Sequence, residues 1–74
     1  MNYHDTKEIT EAINLIRVAR TASDGGNYLH DAAVRLQFVM DCSKSFEARQ
    51  LATTVAEAFD MISHIDELRN EAAA

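Results

Sequence analysis

The groups in this chain whose types and spacing could do chemistry are carboxylates and histidines near its C-terminal end. Glu57, Asp60, His64, Glu67 and Glu71 follow one another at steps of three and four, the spacing that stacks side chains on one side of an α-helix. Asp60, His64 and Glu67 could reach one cation from adjacent turns. A carboxylate-bridged metal pair in a helical bundle, however, takes ligands from Glu-x-x-His motifs, and the residues three before His4, His30 and His64 are Met1, Asn27 and Met61. A zinc site needs several Cys or His ligands at recognisable spacing. Cys42 is the only cysteine, and the three histidines fall on three separate segments. No metal and no cofactor is therefore expected.

Catalysis is not expected either. A nucleophile needs a base within hydrogen-bond reach and donors for the oxyanion in a cleft, whereas Cys42 lies on an apolar line with Val34 and Phe38, the setting of a packed, inert thiol. Gly25-Gly26 has neither the preceding strand nor the following Lys-Ser/Thr of a phosphate loop. The acidic stripe reads first as the solvated outer face of a helix; its functional reading is a face for a basic protein surface. Residues 57–74 hold five acids against Arg69 alone, net −4, whereas residues 1–56 hold seven acids and six bases, net −1.

The elements that must position these groups are helical. Seventy-four residues, 47% hydrophobic and 26% charged, suffice for one small domain, 1–74, with ordinary globular composition. Asp5 followed by Glu8 has the pattern of a capping box opening helix 1 over about 6–23, and Ile9, Ala12, Ile13, Ile16 and Ala19 form its apolar stripe. Gly25-Gly26 supplies a left-handed break, and Asn27 caps helix 2 over about 27–43, with Tyr28, Leu29, Ala32, Ala33, Leu36, Val39 and Met40 as its stripe. Ser45 caps helix 3 over about 46–70, where Leu51, Val55, Ala58, Ile62 and Ile65 alternate at four and three like a coiled-coil seam. At 1.5 Å per residue helix 3 spans roughly 37 Å and overhangs partners of roughly 25–27 Å. The predicted fold is all-α: an antiparallel three-helix bundle that self-associates. The competing arrangement fuses helices 2 and 3 into one long helix of a dimeric hairpin.

Two lines of apolar residues exceed what a three-helix core needs: Leu15, Val18 and Ala22 on helix 1, and Val34, Phe38 and Cys42 on helix 2. A row of three on a helix face indicates contact with something, and a small domain with no disulfide gains stability by oligomerising. Val34, Phe38 and Cys42 are the expected self-association residues, with Leu15 and Val18 in reserve.

Net charge −5 and a pI near 4.9 are opposite in sign to a nucleic-acid-binding surface, so no direct nucleic-acid binding is expected. No apolar run approaches a membrane span, and MNYHDTKE has no signal-peptide character. One cysteine in so short a chain argues against an exported, disulfide-stapled domain. A cytoplasmic protein without membrane contact is expected.

Leu29-His30-Asp31 followed by Val34 resembles the phosphoacceptor helix of one class of histidine kinases, and Ser63-His64 with Glu67-Leu68-Arg69 resembles an H-box with two residues inserted. The first lacks the downstream Gln and Leu spacing and has Gly25-Gly26 where a long helix should precede it. The second lacks the Thr-Pro that follows the Arg. The resemblance implies phosphate carried on His30 or His64. In size, acidity and helicity the chain is similar, by class only, to small phage and mobile-element inhibitors. The expected function is thus protein interaction: a small acidic adaptor or inhibitor that modulates a larger protein and forms a homodimer. A phosphotransfer helix pair and a structural subunit of an assembly are the alternatives.

Overall fold

The computed structural model of the protein describes residues 1–23 and 25–73, which form four helices and no strand: α1 (Tyr3–Ala19), α2 (Gly25–Cys42), α3 (Phe46–Ala58) and α4 (Ile62–Ala73). The all-α class holds; the helix count is four, not three. Asn2, not Asp5, caps α1, its Oδ1 accepting from the Asp5 N–H at 2.8 Å. Asp5 is freed for another task. It is the one charged residue buried among those described, 5% exposed, and its Oδ2 accepts from the Ser43 hydroxyl at 2.9 Å. Ser43 Oγ accepts in turn from the Ser45 N–H, while Arg49 donates to the Ser43 carbonyl at 2.7 Å. The start of α1 is thereby tied to the short link between α2 and α3. Ser45 caps α3 as its sequence pattern predicts, accepting from Ala48 N–H, and this link keeps α2 and α3 from fusing into one helix.

Helix α1 stops four residues before the predicted end. Thr21 and Ala22 both donate to the Val18 carbonyl, and the chain reverses into α2. Gly25 and Gly26 are not a left-handed break, since no glycine has positive φ; they open α2. Gly25 is required by space, because a Cβ there would lie 2.7 Å from the Ala19 carbonyl oxygen.

The predicted helix 46–70 is interrupted at Phe59–Met61. Asp60 adopts φ 59°, Met61 N–H reaches back to the Ala56 carbonyl at 2.7 Å, and Asp60 N–H to that of Glu57 at 3.2 Å. These two bonds make a Schellman C-cap, with Asp in the left-handed position where glycine is usual and with Met61, 4% exposed, as the apolar residue that accompanies it. Instead of overhanging, the chain returns across α2 as α4, and Ile65 enters the core at 0% exposure.

Helix α1 runs antiparallel to α2, with Asp5 beside Ser43 at one end and Ala19 beside Gly25 at the other. Helix α3 brings Phe59 back beside Ile16 and Leu29. Helix α4 follows the direction of α2, with His64 facing His30 and Arg69 facing Asp41. One cluster joins Ile9, Ala12 and Ile16 of α1 with Ala32, Ala33, Leu36 and Val39 of α2, Ala48, Ala52, Val55 and Ala56 of α3, and Met61 and Ile65. The α3 contribution corrects the predicted seam. Leu51 is 40% exposed and Ala58 is exposed, whereas Val55 and Ile65 of the seam are buried and α3 turns Ala48, Ala52 and Ala56 inward beside Val55.

Candidate functional site

The exposed side of α2 next to the start of α1 carries part of the apolar surface that the core leaves out, with more of it at Tyr3, Val18, Tyr28, Phe46 and Leu51. Val34 is 40% and Phe38 48% exposed, and Cys42, one turn on, is exposed rather than packed. The His4 ring stands edge-on to Phe38, with centroids 6.0 Å apart and planes at 67°, a favoured geometry for aromatic pairs. A shallow groove of about 370 Å³ runs between the two helices, lined by His4, Glu8, Asp31, Val34, Arg35 and Phe38. A second hollow continues it past Phe38 to Cys42, Ser43 and Lys44. Of the reserve candidates, Leu15 packs against the core margin, while Val18 is 45% exposed.

One wall of the groove is charged. Arg35 holds Glu11 at 2.7 Å, Glu8 at 3.0 Å and Asp31 at 3.2 Å. Partial burial alone would lower the guanidinium pKa, but Asp31, Glu8 and Glu11 outweigh it and raise it. Three carboxylates share one cation, so the wall stays acidic. The Asp31 to Arg35 half of this cluster is visible as an i, i+4 pair; its link to Glu8 and Glu11 appears only once α1 and α2 are side by side.

The acidic stripe presupposes a single helix and is divided by the Asp60 turn. Glu57 ends α3, Asp60 sits in the turn, and His64, Glu67 and Glu71 belong to α4. All but His64, which is partly buried, are exposed. Arg69, the lone base of this stretch, pairs with Asp41 of α2 through bonds of 2.6 and 3.0 Å and with Asp66 at 3.4 Å. The Arg69 hydrogen bonds hold the Asp41 carboxyl below its ordinary range against the opposing effect of burial, and Gln37 adds to them.

Two histidines assigned by sequence to separate segments meet in space. His30 Nδ1 lies 3.4 Å from His64 Nε2, with ring centroids 5.5 Å apart. Nothing in the local spacing signals the pairing, which follows from α4 folding back over α2. Among the described residues no three His, Cys, Asp or Glu side chains cluster as a metal site, and no helix is long and apolar enough to cross a membrane. No protein-family model, no curated protein and no solved structure matches this chain.

Proposed function

We propose that the protein is a small acidic interaction module of the cytoplasm, an adaptor or inhibitor that modulates a larger protein and pairs with its own copy through the α2 face. The observation that carries this reading is the row Val34, Phe38, Cys42, exposed side by side along one face of α2 and lining a groove against α1. A helix that keeps a phenyl ring half exposed along a groove, beside an acidic wall, offers a partner both an apolar anchor and a charge pattern that orients approach. A partner with an apolar side chain flanked by lysine or arginine fits it. The exposed carboxylates of α4, Glu67 and Glu71 with Asp60 beside them, extend the acidic surface and would act on association rate more than on affinity.

Phe38→Asp tests the reading. Sedimentation equilibrium of the parent should show concentration-dependent dimerisation that the variant lacks, and a partner captured by the parent from host extract should be lost by the variant while its helical circular dichroism is retained. A parent monomeric at every concentration removes the homodimer. A partner retained by the variant removes this face as the docking site. The phosphotransfer alternative is separated by incubation with a phosphodonor, since it alone requires acid-labile phosphate on His30 or His64.

A further inference from the structure

We propose that His30 and His64 form a two-imidazole site for a divalent transition cation of the zinc type, which clamps α4 onto α2. The site is independent of whatever docks at Phe38. With Zn–N bonds of about 2.0–2.1 Å and a tetrahedral angle, two imidazole nitrogens on one ion stand roughly 3.3–3.4 Å apart. His30 Nδ1 and His64 Nε2 are 3.4 Å apart, in rings tilted by 41°, so their spacing already matches that of two nitrogens on one tetrahedral ion. Without metal the two nitrogens are within hydrogen-bond distance, and which of them donates depends on the tautomer. Coordination requires both facing nitrogens bare, which places the protons on His30 Nε2 and His64 Nδ1. No third His, Cys, Asp or Glu completes a cluster among the described residues, so water fills the remaining positions.

The placement gives the site a structural consequence. The two ligands are 34 positions apart in sequence and meet only when α4 is docked, so the cation binds the folded chain and not the unfolded one. Helix α4 buries one side chain, Ile65, and a clamp one residue away from it holds the most weakly anchored element in place.

Titration of tag-free protein with Zn²⁺, and with Co²⁺ to read coordination from its visible absorption, decides the matter. The proposal expects saturable binding at micromolar Zn²⁺, a tetrahedral Co²⁺ spectrum, and a rise in melting temperature on the order of 10–20 °C at a free metal concentration about 100 times Kd. His30→Gln and His64→Gln should each weaken binding by about tenfold or more while keeping the parent's helical spectrum. His4→Gln and Cys42→Ser should leave it intact. Absence of binding at millimolar Zn²⁺ overturns the site, as does binding that survives either paired-histidine substitution or that disappears with His4→Gln or Cys42→Ser.

Discussion

Helices α1 and α4 both pack on α2, and they are held there by different means. Between α1 and α2 the contact is mainly apolar and continuous: Ile9, Ala12, Ile16, Ala32, Ala33, Leu36 and Val39 are all at most 3% exposed, with the Asp5 to Ser43 bond fastening one end and the Arg35 pairs to Glu8 and Glu11 along its edge. Helix α4 buries only Ile65, with Ile62 and Leu68 at the margin, and relies on polar ties at its surface, Arg69 to Asp41 and His64 to His30. Apolar burial is large and insensitive to salt and pH, whereas exposed ion pairs are small and sensitive to both. The hairpin of α1 and α2 is therefore the durable part of the molecule, and α4 is the part that conditions can release.

Truncating the hairpin core should have the largest effect. Leu36→Ala leaves a cavity at a fully buried position and should cost about 2–5 kcal/mol, lowering the melting temperature of the whole chain in one cooperative transition. The same chemistry at Ile65 should cost less, because the loss cannot exceed what docking α4 contributes. Amide exchange separates the two outcomes: Ile65→Ala should deprotect α4 while α1 and α2 keep their protection. If every helix loses protection together, α4 is integral to the core and the contrast fails.

Asp5→Ala should cost about 1–3 kcal/mol, since it strands the Ser43 hydroxyl in a partly buried place; denaturant unfolding reads the loss, and Asp5→Asn should recover part of it. Arg69→Ala should be the mildest, about 0.2–1 kcal/mol, because the pair is more than a third open to solvent on the arginine side. Its clearer signature is in titration. The Asp41 carboxyl is held low in the folded chain, so the stability it contributes is complete above the ordinary carboxylate pKa near 3.9 and is lost as pH falls through the lower folded value. Removing Arg69 should bring the Asp41 titration, followed by NMR, back up toward that ordinary value. An unchanged titration would show that the Arg69 bond does not persist in solution.

Helix α1's stripe and the Ser45 cap were readable because each depends on residues within two or three turns of one another: Ile9, Ala12 and Ile16 repeat at helical period, and Ser45 needs only the nearby Ala48 N–H. The Asp60 turn was not, because a Schellman cap is ordinarily signalled by glycine and this one is made by aspartate, among the few other residues that enter the left-handed region at modest cost. Losing that turn carried a second error with it. A continuous helix carries one seam from Leu51 to Ile65 and puts five acidic-stripe residues on one face; the break at Asp60 ends α3 and distributes the stripe over two helices and a turn. At the candidate site, Val34 and Phe38 were identifiable as surplus from α2 alone, whereas the groove with His4, the Glu8 and Glu11 contacts of Arg35, and the His30 to His64 approach all depend on which helices become neighbours.

The alanines of the core have a consequence for how this sequence can vary. Ala12, Ala32, Ala33, Ala48, Ala52 and Ala56 are all at 0% exposure, within the one cluster that joins the helices. At such a position nearly every possible exchange adds volume, and added methylenes force the helices apart at a cost of about 1–3 kcal/mol; the one smaller option, glycine, costs about 1 kcal/mol in helix propensity. A saturation library should thus find these six sites the least permissive in the chain, ahead of the larger Ile9, Ile16 and Val39, where one aliphatic can stand in for another. The interior resists drift because its smallest residues have almost nowhere to go.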